Sequence, residues 1–352
     1  MTPRRAKDVT LVLHVGLHKT ATTYLQGLWS AHRAELLDAG VLYPTTGIPV
    51  GDRPRTREGA QSGHTLFARP RVRHRALRAA LLEELPASVS TVLISSEEFG
   101  RPTGGPTPDQ LLARFSGFGG VKVVLVLRRQ DAWVESYYKQ IVDQYANRET
   151  RSLDEFVRDR GPELLDYHAR FARWRDLVGA ENFHALSYDD LREGAAISRR
   201  VLEVAGVRGP VHDRLAAFTP PRYDSVRGID TLGLRILNAY RFEDRDLRTR
   251  VARSIYDLAP AGDLELMSAD TRREIRELCE PVNERIEAEW FAEPVPGLRF
   301  GAAPRAAATP PTGSEVFDYV GRVISACEAA RPSPTDADAS GAAGADPDTS
   351  RQ

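Results

Sequence analysis

The sequence predicts an α/β fold of the P-loop type, in which helices flank a parallel sheet. Three observations lead to this prediction. Short and almost wholly apolar segments recur at 10–15, 91–95, 121–127 and 182–187, as is typical of strands buried on both faces. Longer segments with apolar residues at helical spacing separate them, and strands that alternate with helices form parallel sheets. Finally, the first strand runs directly into a polar loop that opens a helix.

The first half of the chain supplies the elements before the third strand. A helix is predicted over 22–39, and Gly40 is suited to end it. Residues 44–64 are rich in Gly, Pro, Arg and Ser without periodicity, so they form a long loop of the kind that is usually functional or mobile. A helix is expected over 73–85, and 101–108 has the composition of a turn.

The remaining elements follow in the same alternation. The third strand leads into a helix over 131–147, and a helix over 162–178 precedes the fourth strand. From there to about residue 292 the pattern is largely helical. Residues 9–300 are therefore expected to form one P-loop domain.

The C-terminal end changes in composition. Residues 301–330 are expected to be a linker followed by an amphipathic helix over 314–330, with apolar residues such as Phe317 and Val323 on one face. Residues 331–352 contain no Val, Ile, Leu, Met or aromatic residue. Such a segment cannot bury enough apolar surface to fold, so a disordered tail is predicted.

Composition excludes several classes of protein. The 352 residues are 41% hydrophobic and 28% charged, and the formal net charge of −1 gives no reason to expect nucleic acid or an anionic membrane as a partner. No apolar stretch is long enough to span a bilayer. The two cysteines have neither disulfide nor metal-ligand spacing. We therefore expect a cytoplasmic protein without a metal.

The first motif is the loop after the first strand, VGLHKTATTYLQ. Backbone N–H groups and the positive end of the helix dipole favour an anion at such a helix start. Gly16 permits a sharp turn, and Lys19, one of only four lysines in the chain, supplies a positive charge. Thr20, Thr22 and Thr23 supply hydroxyl groups. Because a second glycine is missing, the loop is not a Walker A motif, and a shorter loop is compatible with gripping a single phosphosulfate.

The second motif, VLRRQDAWVESYYKQ, also follows a strand and opens a helix. Arg128 stands at the end of the strand, and Ser136 lies about two helical turns further on. Arginine binds oxyanions through two parallel hydrogen bonds, so these two side chains can share one phosphate. Taken alone the motif is weak, since a solvated helix start has the same composition.

Together the two segments resemble the superfamily of sulfotransferases that use 3′-phosphoadenosine-5′-phosphosulfate (PAPS), especially its bacterial members. HVGLHKTATTYLQ is similar to the 5′-phosphosulfate loop of that family, and VLRRQDAWVESYY is similar to its 3′-phosphate motif. The segment 165–192 is also similar, ending in Tyr188, Asp189, Asp190 and Leu191 near the nucleotide. The resemblance covers about residues 9–300.

The resemblance implies roles for these residues in the transfer of a sulfuryl group from PAPS without a metal. Lys19 would contact the bridging oxygen of the donor, and Arg128 with Ser136 would hold the 3′-phosphate. Tyr188 would stack on the adenine, unless it is simply packed at the strand end. The loop residues that would hold the 5′-phosphate are Gly16, Thr20, Ala21, Thr22 and Thr23.

The general base is predicted among the residues near the strand ends. Glu97 follows the second strand in a serine–serine–glutamate segment that the resembling bacterial sequences share, and a carboxylate there can accept a proton. Its neighbour Glu98 is the alternative, and His18 in the loop is a further candidate. His64 is a candidate for contact with the acceptor, although a lone loop histidine is more often exposed. His14, inside the first strand, is expected to be a core residue.

The chain departs from the family pattern at three points. His18 stands where many members have proline, and Ala21 where many have glycine or serine. The late glycine-containing nucleotide loop of the cytosolic animal enzymes has only a loose counterpart in Arg227 and Gly228. The residues that complete the 3′-phosphate site therefore stay open.

The acceptor is not specified by the sequence. Loops 44–72 and 99–108 would form its site, and arginines there are suited to an anionic or sugar acceptor or are simply solvated: Arg53, Arg55, Arg57, Arg69 and Arg71. Small molecules, glycolipids and carbohydrates all stay open, with a hydroxyl or amine as the attacking group.

Two other functions are compatible with the fold. A P-loop kinase or NTPase would bind ATP with magnesium, and Asp131 is its nearest candidate for a metal ligand. A non-catalytic module would bind nucleotide without turnover. The missing second glycine argues against the kinase.

Overall fold

A computed structural model of the chain describes residues 6–49, 63–102, 104–144, 146–191, 196–217, 226–240, 242, 244–291 and 310–330. The predicted disordered tail, the first part of the predicted linker, and Arg53, Arg55 and Arg57 lie outside these residues.

The predicted parallel sheet is confirmed. Its five strands run in parallel in the order β2-β3-β1-β4-β5. They are β1 (Thr10–Gly16), β2 (Val41–Leu42), β3 (Thr91–Ser96), β4 (Gly120–Leu127) and β5 (Phe183–Ser187). Since β3 and β4 flank β1, the segments that follow these three strands meet at one edge of the sheet.

The chain divides into two compact units. The first comprises Met1–Tyr137, Phe156–Asp224 and Met267–Ala303, and it contains the sheet. The second comprises Tyr138–Glu155, Ser225–Leu266 and Pro304–Gln352.

Most of the helices belong wholly or partly to the first unit. They are α1 (Thr22–Ala31), α2 (Arg33–Asp38), α3 (His74–Glu83), α4 (Pro108–Arg114), α5 (Gln130–Asp143), α6 (Leu153–Leu165), α7 (Tyr167–Val178), α8 (Tyr188–Leu191), α9 (Ala196–Val204), α10 (Pro210–Ala217) and α13 (Ala269–Trp290). Helix α5 ends, and α6 begins, in the second unit.

Apolar side chains cover both faces of the sheet. On one face, Val12 and Val124 pack with Leu25 and Trp29 of α1 in a cluster that also includes α9. On the opposite face, the ring of Phe183 in β5 packs against that of Trp290 in α13, with centroids 5.2 Å apart. The strands are thus buried between helices, which accounts for their continuous apolar sequence.

The element boundaries differ from the prediction in three places. The helix expected over 22–39 is two helices that meet at His32, whose φ of −112° is not helical. The helix expected over 162–178 is also two, because Asp166 accepts a hydrogen bond from the N–H of Ala169 and caps α7. The turn-rich segment near 101–108 leads into α4, which Thr107 begins with a capping box.

The second unit confirms the prediction of a helical C-terminal part. Its own helices are α11 (Gly228–Ala239), α12 (Arg245–Leu258) and α14 (Gly313–Ala329). Tyr319, Val323 and Cys327 form the buried face of α14, whereas Phe317 is exposed. Among the described residues no helix is long and apolar enough to cross a membrane.

Candidate functional site

The loop between β1 and α1 has an unusual backbone. Lys19 and Ala21 have φ values of 65° and 61°, in the left-handed region that non-glycine residues rarely adopt. Ala21 is also the residue that precedes α1, and it offers no side-chain acceptor to the first N–H groups of the helix. A helix start without a side-chain cap is suited to an anion.

The threonine hydroxyls of this loop support its shape. Thr20 and Thr22 are buried, and both donate to the carbonyl oxygen of Leu17, at 2.7 and 3.3 Å. A hydroxyl has one proton, so neither can donate to a phosphate without rotating. Their contact with the 5′-phosphate, and that of the exposed Thr23, stays a prediction.

Gly16 is required by a close approach rather than by the sharp turn that the sequence suggested. A Cβ at this position would lie 2.8 Å from Oγ1 of Thr22 and 3.3 Å from Cα of Glu97. Its φ is not positive, so no conformational need for glycine is involved. Glycine here lets the segment after β3 pack directly on the loop after β1.

The second predicted motif meets the first. Arg128 donates from Nη1 to the carbonyl oxygen of Lys19 and to Oγ of Ser136, both at 3.1 Å. The carbonyl oxygen of Arg128 accepts a hydrogen bond of 2.9 Å from the hydroxyl of Tyr167. One guanidinium thus links the two segments that the sequence paired.

The Arg128 guanidinium retains donor capacity. Its Nε is buried and has no hydrogen-bond partner among the described residues. The ring of Tyr188 lies 5.1 Å from the guanidinium carbon. A buried donor without an acceptor is costly, which makes this nitrogen a candidate for a hydrogen bond to a ligand.

The third similar segment also reaches this edge. The backbone N–H of Arg129 donates to Oδ2 of Asp189 at 2.7 Å, directly after Tyr188. The side chains of Asp190 and Leu191 lie outside the described residues. The end of β5 is therefore fixed against the end of β4.

Glu97 and Glu98 follow β3 on a short 3₁₀ helix, Glu97–Gly100, and differ in their partners. Glu97 accepts a hydrogen bond of 3.0 Å from Nε2 of Gln26. Glu98 pairs with the exposed Arg101 at 3.3 Å. Of the two carboxylates, it is Glu97 whose backbone touches the loop at Gly16.

His18 lies half-buried on the same loop. Desolvation lowers its pKa to about 4; the Glu98 carboxylate opposes this shift, and the nearby Lys19, Arg101 and Arg170 add to it. The imidazole is therefore neutral at neutral pH, and it is a weak base. It lies 5.9 Å from the ring of Tyr137, and its role as a candidate base stays a prediction.

His64 is buried, not exposed as a lone loop histidine usually is. Its Nδ1 accepts from the N–H of Ser95 at 3.1 Å, so Nε2 carries the proton and donates to the carbonyl oxygen of Pro44 at 3.0 Å. Burial lowers its pKa to about 4. Both nitrogens are committed to the backbone in this structure, and the predicted contact with the acceptor stays a prediction.

The expectation that His14 is a core residue agrees with its position. Its ring is fully buried, and Nδ1 lies 2.8 Å from Oγ of Ser95 on the neighbouring strand. Trp133 and Tyr137 of α5 are also buried, and their rings stack with centroids 5.0 Å apart. The indole N–H of Trp133 donates to the carbonyl oxygen of His18 at 2.9 Å.

Asp131 does not have the surroundings of a magnesium ligand. It is buried, and its carboxylate contacts Arg129 at 2.5 Å, Arg276 at 3.3 Å and Arg272 at 3.6 Å. Burial opposes its charge, but the hydrogen bond and charge of Arg129 outweigh this and lower the pKa of the carboxyl. Three arginines already occupy the oxygens that a metal would need.

Arg227 and Gly228, the loose counterpart of the late nucleotide loop, make their contacts within the second unit. The Arg227 guanidinium donates to both carboxylate oxygens of Asp230 and to the carbonyl oxygen of Pro260. Gly228 packs against the backbone of Leu264, where a Cβ would overlap the carbonyl oxygen. These contacts account for both residues by their position at the start of α11.

Two residues near the loop were not predicted from the sequence. Gln26 lies on α1 and is buried, although helical spacing assigns its neighbours, not itself, to the core. Arg170 lies on α7, and its guanidinium carbon is 5.2 Å from the ring of Trp133 and 4.9 Å from that of Phe171. It donates to the carbonyl oxygens of Leu164 and Gly100. The only sequence signal for Gln26 is a polar residue inside a buried helix.

Of the arginines proposed for the acceptor site, Arg69 is half-buried and Arg71 is exposed. Their predicted contact with the acceptor stays a prediction.

Neither a protein-family model nor a curated protein matches the chain. Three solved structures that are similar to it are sulfotransferases. The sulfotransferase from Alicyclobacillus acidocaldarius is 17% identical, with a TM-score of 0.45, and the match covers 79% of this chain and 94% of that one. Mouse sulfotransferase SULT7A1 complexed with PAP is 13% identical, with a TM-score of 0.38 and coverage of 81% and 90%. The sulfotransferase domain from the curacin biosynthetic pathway is 12% identical, with a TM-score of 0.36 and coverage of 77% and 97%.

Proposed function

We propose that this chain is a sulfotransferase that takes the sulfuryl group from PAPS and transfers it to a hydroxyl or amine of an acceptor. The contact that carries the proposal is the one between the two motifs. Arg128 joins Ser136 to the backbone of Lys19 through bonds of 3.1 Å, so the end of β4 and the loop after β1 form one continuous polar surface.

The two ends of this surface fit the two anionic ends of the donor. The start of α1 would hold the 5′-phosphosulfate, because its first turn has no side-chain cap and Lys19 adds a positive charge. Arg128 and Ser136 would hold the 3′-phosphate, for which the buried Nε of Arg128 is a further donor. A 3′-phosphate is absent from ATP, so these contacts with the 3′-phosphate would favour PAPS over ATP.

The reaction is an in-line displacement at sulfur. The acceptor oxygen forms a new bond to sulfur while the bond from sulfur to the bridging oxygen breaks, and its electron pair stays on the phosphate oxygen. Lys19 would stabilise the charge that develops there. Glu97 would accept the acceptor's proton, and His18, which is neutral because burial lowers its pKa to about 4, would donate a hydrogen bond to a sulfuryl oxygen.

The acceptor would approach beside Glu97, from loops 44–72 and 99–108. A small molecule, a lipid-linked compound or a carbohydrate all fit this requirement. Arg101, which is half exposed, belongs to the second of these loops and pairs with Glu98.

The first test is nucleotide binding measured by calorimetry. Adenosine 3′,5′-bisphosphate (PAP) should bind without metal, and Lys19→Ala and Arg128→Ala should each weaken binding by about tenfold or more, as expected for a lost charge-assisted hydrogen bond. Binding of ATP only with magnesium, unaffected by Arg128→Ala, would instead indicate a kinase. Labelled PAPS with a panel of phenols, sugars and long-chain alcohols would then separate an enzyme from a non-catalytic module.

A further inference from the structure

Gln26 is held beside Glu97 by several contacts. Its side chain is 4% exposed, and Nε2 donates to Oε2 of Glu97 at 3.0 Å and to Oγ of Ser95 at 3.2 Å. One amide nitrogen thus uses both of its protons within the site.

The side chains that support Gln26 are uncharged. Ser95 and His14 are register partners on adjacent strands, and the Ser95 hydroxyl meets Nδ1 of His14 at 2.8 Å. The peptide of Ser95 is fixed in turn by His64, whose backbone N–H donates to its carbonyl oxygen at 2.8 Å. Burial lowers the pKa of both histidines to about 4, so the network behind Gln26 is neutral at neutral pH.

The Gln26 amide packs directly against Gly63, which has no side chain to displace it. A Cβ on Gly63 would lie 2.6 Å from both Nε2 and Oε1 of Gln26. A side chain at residue 63 would therefore displace the amide from Oε2 of Glu97. Among the described residues no donor bonds to Oε1, the second carboxylate oxygen.

We infer that Gln26 is a positioning residue that makes Glu97, and not Glu98, the general base. This inference rests on the proposed function. A neutral amide orients the carboxylate without neutralising it, whereas an arginine would suppress its basicity. Oε1 of Glu97 then takes the proton of the acceptor hydroxyl as the new S–O bond forms and PAP leaves with the electron pair of the old one.

A double-mutant cycle tests the role of Gln26. With the best acceptor of the panel, Gln26→Leu should lower kcat by about 10- to 100-fold, the effect of losing a hydrogen bond to a charged group. PAP affinity and the KM for PAPS should stay within about twofold of wild type, and Gln26→Leu should have no further effect in Glu97→Gln. Gly63→Ala, which displaces the amide without altering it, should act in the same direction. Gln144→Leu makes the same change at an exposed glutamine and is the matched control.

The contact itself is tested without any acceptor. In a ¹⁵N-edited NMR spectrum, Glu97→Gln should move the side-chain amide resonances of Gln26, and Glu98→Gln should not. Additive effects in the cycle, a Gln26 resonance that follows Glu98, or bound PAPS without turnover would each overturn the inference. Failure of PAP binding would overturn the proposed function separately, since the Gln26 resonance reports its contact with Glu97 whether or not nucleotide binds.

Discussion

Asp131 and Glu97 are carboxylates that follow the two strands on either side of β1, and their surroundings are opposite. Asp131, after β4, is buried against three arginines. Glu97, after β3, is half-buried and held by the neutral amide of Gln26. Both lie at the edge of the sheet where ligands of such folds bind.

The difference separates a structural carboxylate from the one that we propose as the base. Arginines stabilise the charged form of Asp131 so strongly that it offers neither a basic oxygen nor a free metal-binding one. The same ion pairs connect α13 to the start of α5. Glu97 keeps one oxygen without a donor among the described residues, and only such an oxygen can take a proton from a substrate. Position at the strand end is therefore insufficient to identify a base, and the neighbours decide.

Removing the charge of Glu97 should have the largest effect. Glu97→Gln should lower kcat by about 10² to 10⁴, the usual contribution of a general base, while PAP binding measured by calorimetry is retained. Glu83→Gln, on the exposed face of α3, is the matched control. If Glu98→Gln abolished turnover and Glu97→Gln did not, Glu98 and not Glu97 would be the general base.

Removing the charge of Asp131 should act on stability instead. Asp131→Asn removes a buried carboxylate from the half-buried Arg129 and Arg272, so the free energy of unfolding in urea should fall by about 3 kcal/mol. Asp109→Asn removes the carboxylate of an exposed pair with Arg173 and should leave the unfolding transition near that of wild type. An equal response of the two variants would show that the arginine cluster does not stabilise the fold.

Acid should lower the stability of the protein through the buried neutral histidines behind Gln26. Burial lowers the pKa of His14 and His64 from 6.5 to about 4, so between these values the unfolded chain binds more protons than the folded one. The free energy of unfolding should therefore fall as pH drops through this window, by roughly 2 kcal/mol for each histidine at pH 5. His14→Phe should make the decrease between pH 7 and pH 5 shallower by about that amount in urea titrations. A slope unchanged by the substitution would assign the acid sensitivity to other groups.

The sequence predicted the parts of the molecule that local pattern determines. Continuous apolar runs identified four of the strands, and the loop composition located Gly16 and Lys19 after the first. The sequence did not predict the strand order, and it is the position of β4 beside β1 that brings Arg128 to the backbone of Lys19. Strand β2 was missed because two residues have no detectable period.

Other features depend on contacts between distant segments. Gln26 and Glu97 are 71 positions apart, and no spacing rule relates a helix glutamine to a turn carboxylate. Asp131 looked like a metal ligand because its arginine partners on α13 lie about 140 residues later in the chain. His64 looked like an exposed loop residue because its hydrogen-bond partners, the N–H of Ser95 in β3 and the carbonyl oxygen of Pro44, are backbone atoms.

The left-handed residues of the first loop also determine whether the motif can be moved to another protein. A free peptide avoids this conformation at Lys19 and Ala21, each by roughly 1–2 kcal/mol. Strand β1, helix α1 and the carbonyl of Lys19 held by Arg128 must supply that free energy from outside the segment. A synthetic peptide of residues 13–27 would therefore not bind the nucleotide. A grafted loop would need the recipient's own strand and helix, together with an arginine in the place of Arg128.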